Sequence, residues 1–278
     1  MASFPMLRGL HFLALRLFSR EDRVVSPARI LGLRFAARLS DKHGRHLFKR
    51  GMHEPVLTRF LMEHLRFEPG DVVLDVGANV GWHACVLDQL APDDVAIHAF
   101  EPDPINCGFL RENLATNGAE RVVAVEAAAA ATAGRATLHR YKPSNRGRHS
   151  LIPLHEGEKV EVETLRLDDH WRESGLGDRT LRFLKIDVEG GELGVLKGAP
   201  EVLSRAKLVM LEHSPGYLRT GGHDPDALVR VMDDAGFTPC LPELSGSRPV
   251  PVESLLGLVE QRNVLWVAAG QELRPAGA

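Results

Sequence analysis

Three cysteines in 278 residues, Cys85, Cys107 and Cys240, are too few and too widely separated for a disulfide framework or a zinc-binding spacing. Their scarcity fits a reducing compartment, the cytoplasm. Positive charge is also in short supply. The 34 Lys and Arg stand against 37 Asp and Glu, a net of −3, which argues against general nucleic-acid binding, because that needs a basic surface. No apolar run is long and uncharged enough to span a bilayer. Leu7, Leu10, Leu13, Ala14 and Leu17 recur at helical spacing, but Arg8, His11 and Arg16 interrupt them and no small-residue cleavage site follows. A signal peptide is therefore not expected. What remains is ordinary for a globular chain, 44% hydrophobic and 26% charged. The length suits one α/β domain with an N-terminal addition.

Two further absences narrow the most informative stretch, Val72 to Gly81. Val72, Val73, Leu74 and Val76 have the branched apolar character of a strand buried on both faces. Gly77 and Gly81 then permit a sharp turn that passes close to a ligand, and Trp82 to Leu90 resumes helical character. The third glycine of the dinucleotide fingerprint is missing, since the loop reads Gly77-x-Asn79-x-Gly81. The Lys and Ser/Thr of a phosphate-binding loop are missing too, because Trp82-His83 stands in their place. Asp75, two residues before the first glycine, suits a cationic ligand whose ammonium group it can pair. Ala96 to Pro102 reads as a second strand closed by Glu101, placed where a carboxylate accepts both hydroxyls of a ribose. Together these residues make a nucleotide-type cofactor site.

The run Asp75 to Gly81, then Phe100-Glu101-Pro102, then Lys185 to Gly190 with Glu192 and Leu196 to Ala199, resembles the FkbM family. Those proteins are class I S-adenosylmethionine-dependent methyltransferases. The resemblance spans about Gly51 to Val267. It implies methylation of a hydroxyl oxygen on a sugar, glycolipid or polyketide-type molecule, with S-adenosylmethionine as cofactor. On the residues that match, Asp75, Gly77, Ala78, Asn79, Gly81, Glu101, Pro102, Glu126, Ala127 and Asp187 are expected to hold the cofactor. Asn145, Ser150, Glu189 and Glu212 are expected on the substrate side, with Gly147 near the site.

The expected fold is a doubly wound α/β sheet, mostly parallel and seven-stranded, with an N-terminal helical extension and an inserted β-hairpin. The boundaries are 1–50 for a basic extension, 51–270 for the methyltransferase domain and 271–278 for a tail. Met1 to Arg50 holds 11 Lys/Arg and three Asp/Glu, a net of +8, so the remainder carries −11. That segment is expected to be a helix packed on the domain. The sharper alternative is a basic helix on an anionic membrane or a lipid-linked substrate. Ala136 to Tyr141 and Val160 to Leu165 alternate like paired strands around a polar loop, Lys142 to Ser150. That loop is either solvated surface or a mobile lid. Leu181 to Asp187 and Leu208 to His213 are further strands, and Phe237 to Leu241 with Asn263 to Val267 form the last, antiparallel pair.

An alcohol must lose its proton as it accepts a methyl group, so a base is needed within hydrogen-bond reach. His213 is the first candidate and Asp187 the second. Asp187, Glu212 and His213 are also candidates for a magnesium or manganese ion that acidifies the hydroxyl. Two other classes stay open on sequence: a nicotinamide-dependent oxidoreductase, and a non-catalytic, membrane-associated binding protein of the same fold.

Overall fold

The computed structural model describes residues 23–28, 30–243, 246–271 and 273. The helical spacing at Leu7 to Leu17 and most of the 271–278 tail lie outside them. The first described elements are β1 (Arg23–Pro27) and β2 (Arg34–Arg38), an antiparallel pair. Helix α1 (Lys42–Arg50) follows, capped where Asp41 accepts from the amides of His43 and Gly44. The segment is therefore part strand where a helical extension was expected. The physical reason lies in Phe35-Ala36-Ala37, all buried as a strand sandwiched between neighbours. Phe35 packs on Trp82 with ring centroids 5.0 Å apart. Asn113 takes the Ala36 N–H at 2.7 Å and donates back to the Ala36 carbonyl at 3.1 Å.

Helix α2 (Pro55–His64) leads into the alternation of strand and helix: β3 (Val72–Val76), α3 (Trp82–Leu90), β4 (Ala96–Phe100), α4 (Pro104–Thr116) and β5 (Val122–Val125). An insertion of β6 (Ala128–Ala129), β7 (Gly134–His139) and β8 (Lys159–Leu165) forms its own three-stranded sheet, with β7 and β8 antiparallel. Then come α5 (Leu167–Glu173), β9 (Leu181–Ile186), α6 (Glu192–Lys197), α7 (Pro200–Arg205), β10 (Ala206–His213), α8 (Pro215–Thr220) and α9 (Pro225–Asp234). β11 (Phe237–Glu243), β12 (Gly246–Pro249) and β13 (Arg262–Ala268) close the chain.

The central sheet has the order β12-β11-β13-β10-β9-β3-β4-β5. Its β10-β9-β3-β4-β5 part is parallel, and β13 runs antiparallel to both β10 and β11. The sheet has eight strands and not the expected seven, because Gly246–Pro249 turns back along the end of β11. A short, polar strand ending in proline at a sheet edge has no apolar alternation to announce it. Helices cover both faces. Phe60 and Leu61 of α2, Val86 and Leu87 of α3 and Leu110 of α4 pack on one side. Leu193 of α6, Val202 of α7 and Leu228, Val229 and Met232 of α9 pack on the other. β3 is buried along its whole length between them. Among the described residues, no helix is long and apolar enough to cross a membrane.

The crevice opens where strand order reverses, at the carboxyl ends of β3 and β9. Here the turn after β3 is tied to both neighbours. The Gly77 and Ala78 amides donate to the Phe100 carbonyl at 3.0 and 2.9 Å, and the Asp187 amide donates to the Val76 carbonyl at 3.0 Å. Gly77 has φ +82, and a Cβ there would collide with the Asp187 carbonyl. Its glycine thus makes room for the neighbouring strand end and not directly for a ligand.

Gly77→Ala should therefore be far more destabilising than Gly70→Ala, whose φ of +78 is similar but whose added Cβ meets nothing within 4 Å. The left-handed backbone alone costs about 1–2 kcal/mol, and the collision adds to it at Gly77 only. Urea unfolding of the two variants measures the difference; equal losses would contradict the crowding.

Candidate active site

A cavity of about 510 Å³ lies at these strand ends. Its floor is made by Gly77 to Val80, Glu101-Pro102, Ala127 to Ala129, Asp187 to Glu189 and Glu212. Its roof comes from Lys42, His43 and His46 of α1 and from Asn145 to Leu151. That loop is held down, which the sequence left open between a solvated surface and a mobile lid. The Lys42 amide donates to the Ser144 carbonyl at 2.8 Å, the Arg146 amide to Asp41 at 2.7 Å, and Asn106 Nδ2 to the Arg146 carbonyl at 3.1 Å. Gly147 lies so close under the His43 ring that a Cβ would strike it. Ser150 Oγ donates to the Glu189 carbonyl at 2.7 Å, closing the roof against the floor.

At one end stands Glu101, 6% exposed. Its Oε2 accepts from the Asn79 amide and its Oε1 from the Asp103 amide, both at 2.9 Å. Burial pushes its pKa up to about 7, against the pull of those amides. Asn79 holds φ +53, the left-handed conformation that asparagine tolerates best after glycine. Gly77, Ala78, Asn79, Glu101, Pro102, Ala127 and Asp187 of the expected cofactor set all line the cavity.

Asp75, Gly81 and Glu126 do not. Asp75 is fully buried and sits opposite Lys185 on β9, its Oδ1 3.7 Å from Lys185 Nζ. It neutralises an internal lysine and not the ammonium of a ligand, which corrects the sequence reading. Gly81, at φ +85, is the N-cap of α3 and is pressed against Leu110. Glu126 turns outward to Arg111, 2.6 Å away, because an exposed arginine is a cheaper partner for its charge than an apolar floor.

At the other end Asp187, Glu189 and Glu212 each bring one carboxyl oxygen within 4.8 Å of the others. Glu189 has φ +51 and is buried, and its pKa is pushed up to about 8 by burial and then by Asp187. Burial and Asp187 likewise raise Glu212 well above the usual carboxylate range. Asn145 and Ser150 line the same cavity. Glu192 stays beneath it, fully buried, its Oε1 accepting the Val188 and Gly190 amides at 3.2 and 3.0 Å and so shaping the turn that carries Glu189.

His213 is a correction. Side chains alternate along a strand, so with Glu212 facing the cavity His213 faces the opposite side of β10. It is 1% exposed, lies outside the cavity lining, and neither ring nitrogen has a hydrogen-bond partner. Burial lowers its pKa. It is positioned neither as the base nor as a ligand beside Asp187 and Glu212; Glu189 completes that cluster instead.

Sequence reasoning missed a group of imidazoles at the cavity wall. His43 and His53 meet at a tilt of 54° with centroids 4.6 Å apart, and Glu54 places Oε1 3.8 Å from His53 Nε2 and Oε2 3.5 Å from His83 Nε2. Burial drives His53 and His83 well below the usual histidine range. The signal lies in Gly51-Met52-His53-Glu54-Pro55, just before α2, and in His83, in the first turn of α3. Glu54 adopts φ +39, a strained conformation that a mere lead-in does not require.

The family described as Methyltransferase FkbM domain matches residues 75–239. The methyltransferase sdnD of Sordaria araneosa is 34% identical over 179 residues, covering 54% of this chain and 68% of that protein. The hexuronic acid methyltransferase AglP of Haloferax volcanii is 29% identical over 182 residues, covering 66% and 69%. The 2-O-methyltransferase NoeI of Sinorhizobium fredii is 30% identical over 197 residues, covering 63% and 77%. Among solved structures, a SAM-dependent methyltransferase from Aquifex aeolicus superposes with a TM-score of 0.40 at 14% identity, covering 77% of this chain and 88% of that one.

The buried carboxyls fix the sign of a pH dependence. Glu101 and Glu192 titrate near 7 and Glu189 near 8 in the folded chain, against 4.5 when unfolded. A raised carboxyl stabilises the fold at low pH and loses that contribution as pH rises through its folded value. The lowered histidines act in the opposite sense, but mostly below their unfolded 6.5. Unfolding free energy of the ligand-free protein should therefore fall between pH 7 and 8, and Glu189→Gln should flatten the fall. Urea unfolding across that range tests this; stability that rises instead would contradict it.

Proposed function

The chain belongs to the FkbM family of S-adenosylmethionine-dependent methyltransferases, and from that premise we propose that it methylates a hydroxyl oxygen of a sugar, glycolipid or polyketide-type small molecule. The single observation that carries the reading is the cavity with Glu101 at one end and the Asp187–Glu189–Glu212 carboxyls at the other. Relatives described as a hexuronic acid methyltransferase and a 2-O-methyltransferase support a sugar-like acceptor. Free cysteines, all buried, support a cytoplasmic setting.

Glu101 fits the ribose of the donor, since each oxygen accepts one amide and keeps a further lone pair toward the cavity. Ala127 to Ala129 leave flat space for the adenine, and Gly77 to Asn79 pass under the remainder. When bound, S-adenosylmethionine supplies an electrophilic methyl group on a sulfonium. The chain's own task is to align the acceptor oxygen and to receive its proton. Glu189 is the group we assign to the proton. It lines the cavity, and its raised pKa puts it near the operating pH, where a general base is most effective. Burial and then the charge of Asp187 raise that pKa, and Arg148, with its Nε 3.9 Å from Glu189 Oε2, pulls it the other way.

A magnesium or manganese ion on the same three carboxylates is a second way to relieve their repulsion, and their oxygen chemistry suits it. The two readings separate in one experiment. With Glu189 as the base, Glu189→Gln lowers kcat by roughly 10²–10⁴-fold while donor affinity barely moves, and a chelator has no effect. Loss of turnover on chelation, restored by magnesium or manganese, would favour the ion. Parent-like turnover of Glu189→Gln with no chelator effect would sink both.

A further inference from the structure

Several buried or half-buried cations elsewhere in the fold are matched to carboxylates, while Arg179 and Arg45 are satisfied by backbone carbonyls. Arg121 lies 2.7 Å from Asp88, Arg182 2.6 Å from Asp71, and Arg140 pairs with both Asp103 and Glu158. In the cavity itself Lys185 is shared by Asp187 and Asp75. Three other cations line the cavity and break this pattern: Lys42, Arg146 and Arg148.

Among the described residues, Lys42 and Arg146 have no carboxylate within 4.0 Å. Arg146 Nε is buried without any hydrogen-bond partner, although the Arg146 backbone is held at both ends, its amide by Asp41 and its carbonyl by Asn106. A buried guanidinium N–H with no acceptor is costly; Arg166 Nε and Arg262 Nε share that state, and Arg146 differs from them in lining the cavity, where an acceptor can arrive from outside. Arg148 is held differently. Its guanidinium lies over the rings of Tyr141 and Tyr217, 5.4 Å from each centroid, and among the described residues its one carboxylate within 4.0 Å is Glu189 at 3.9 Å, beyond hydrogen-bond distance. These ring contacts hold the guanidinium without using its N–H donors, which stay suited to capture of a carboxylate or phosphate. Lys42 joins the two through its own amide, bonded to Ser144 in the loop that carries both arginines.

We propose that Arg146 and Arg148, with Lys42, form an anion subsite in the roof of the cavity, and that the acceptor is an acidic sugar bearing a carboxylate or a phosphate ester near the methylated hydroxyl. This rests on the methyl-transfer reading above and adds the substrate class to it. The carboxyl cluster on the floor does not cancel the subsite. Glu189, the acid nearest Arg148, stays 3.9 Å from its Nε, beyond hydrogen-bond distance, and Asp187 is taken up by Lys185 at 3.1 Å. Roof and floor thus divide the acceptor between them, the charged group above and the hydroxyl below.

The test is calorimetric titration of the full chain, saturated with S-adenosylhomocysteine, with methyl β-D-glucuronide, glucose 1-phosphate and methyl β-D-glucoside. At least one anionic sugar should bind about tenfold or more tightly than the neutral glucoside, and that preference should disappear in Arg146→Gln and in Arg148→Gln. The affinity for S-adenosylhomocysteine in both variants should stay at the parent's value, which also shows that they fold. Tighter binding of the glucuronide names a carboxylate as the natural group, and tighter binding of glucose 1-phosphate a phosphate. Anionic sugars that bind no better than the glucoside, or a preference that survives in both variants, would overturn the inference. Failure of the parent to bind S-adenosylhomocysteine would instead overturn the methyl-transfer reading on which it rests.

Discussion

The structure depends on one buried cation. Lys185, 3% exposed in the middle of the sheet, sits between Asp187 at 3.1 Å and Asp75 at 3.7 Å. The two carboxylates keep it charged in spite of its burial. An ammonium taken out of water needs such partners, and removing one from a buried pair typically costs about 3–5 kcal/mol. The triad ties the carboxyl end of β3 to that of β9, the two strands that frame the crevice. It also fixes where Asp187 stands, and the Asp187 carbonyl in turn leaves room for nothing larger than glycine at position 77. The cofactor turn and the acceptor cluster are thus both built outward from one ion pair network.

Beyond the triad the site is unusually rich in buried acids. Glu101, Glu189, Glu192 and Glu212 are all pushed upward by burial. Each has a distinct way of tolerating it. Glu101 and Glu192 are satisfied by backbone amides, so they are architectural supports for the turns they cap. Neither Glu189 nor Glu212 has amide support of that kind; Glu212 Oε2 accepts from Ser214 Oγ at 3.1 Å, while Glu189 Oε2 is buried with no hydrogen-bond partner. This division separates the carboxyls that shape the site from those that are free to take part in chemistry.

Much of this was legible in the sequence because local rules and global fold agree there. Val72 to Leu90 reads as strand, turn and helix, and folds so; Glu101 and Asp187 directly follow their strands and line the cavity. The failures have a common physical cause. Whether His213 or Glu212 faces the cavity depends on a one-residue parity along β10, which sequence alone does not set when the strand is buried on both faces. Asp75 was assigned a ligand because its internal partner, Lys185, is 110 positions away in the chain and becomes its neighbour only when β3 and β9 pair. The His43–His53–His83 wall assembles from three separate elements, and the eighth strand carries no apolar pattern at all. Tertiary proximity decided each of these, and periodicity does not encode it.

The central claim is that the cavity is a donor site read through Glu101. Calorimetric titration of S-adenosylhomocysteine into Glu101→Ala, beside the parent protein, addresses it most directly. The account predicts that the variant stays folded and loses about 1–3 kcal/mol of binding free energy, because the ribose hydroxyls are left without their acceptor. A folded Glu101→Ala that binds S-adenosylhomocysteine as tightly as the parent would contradict it.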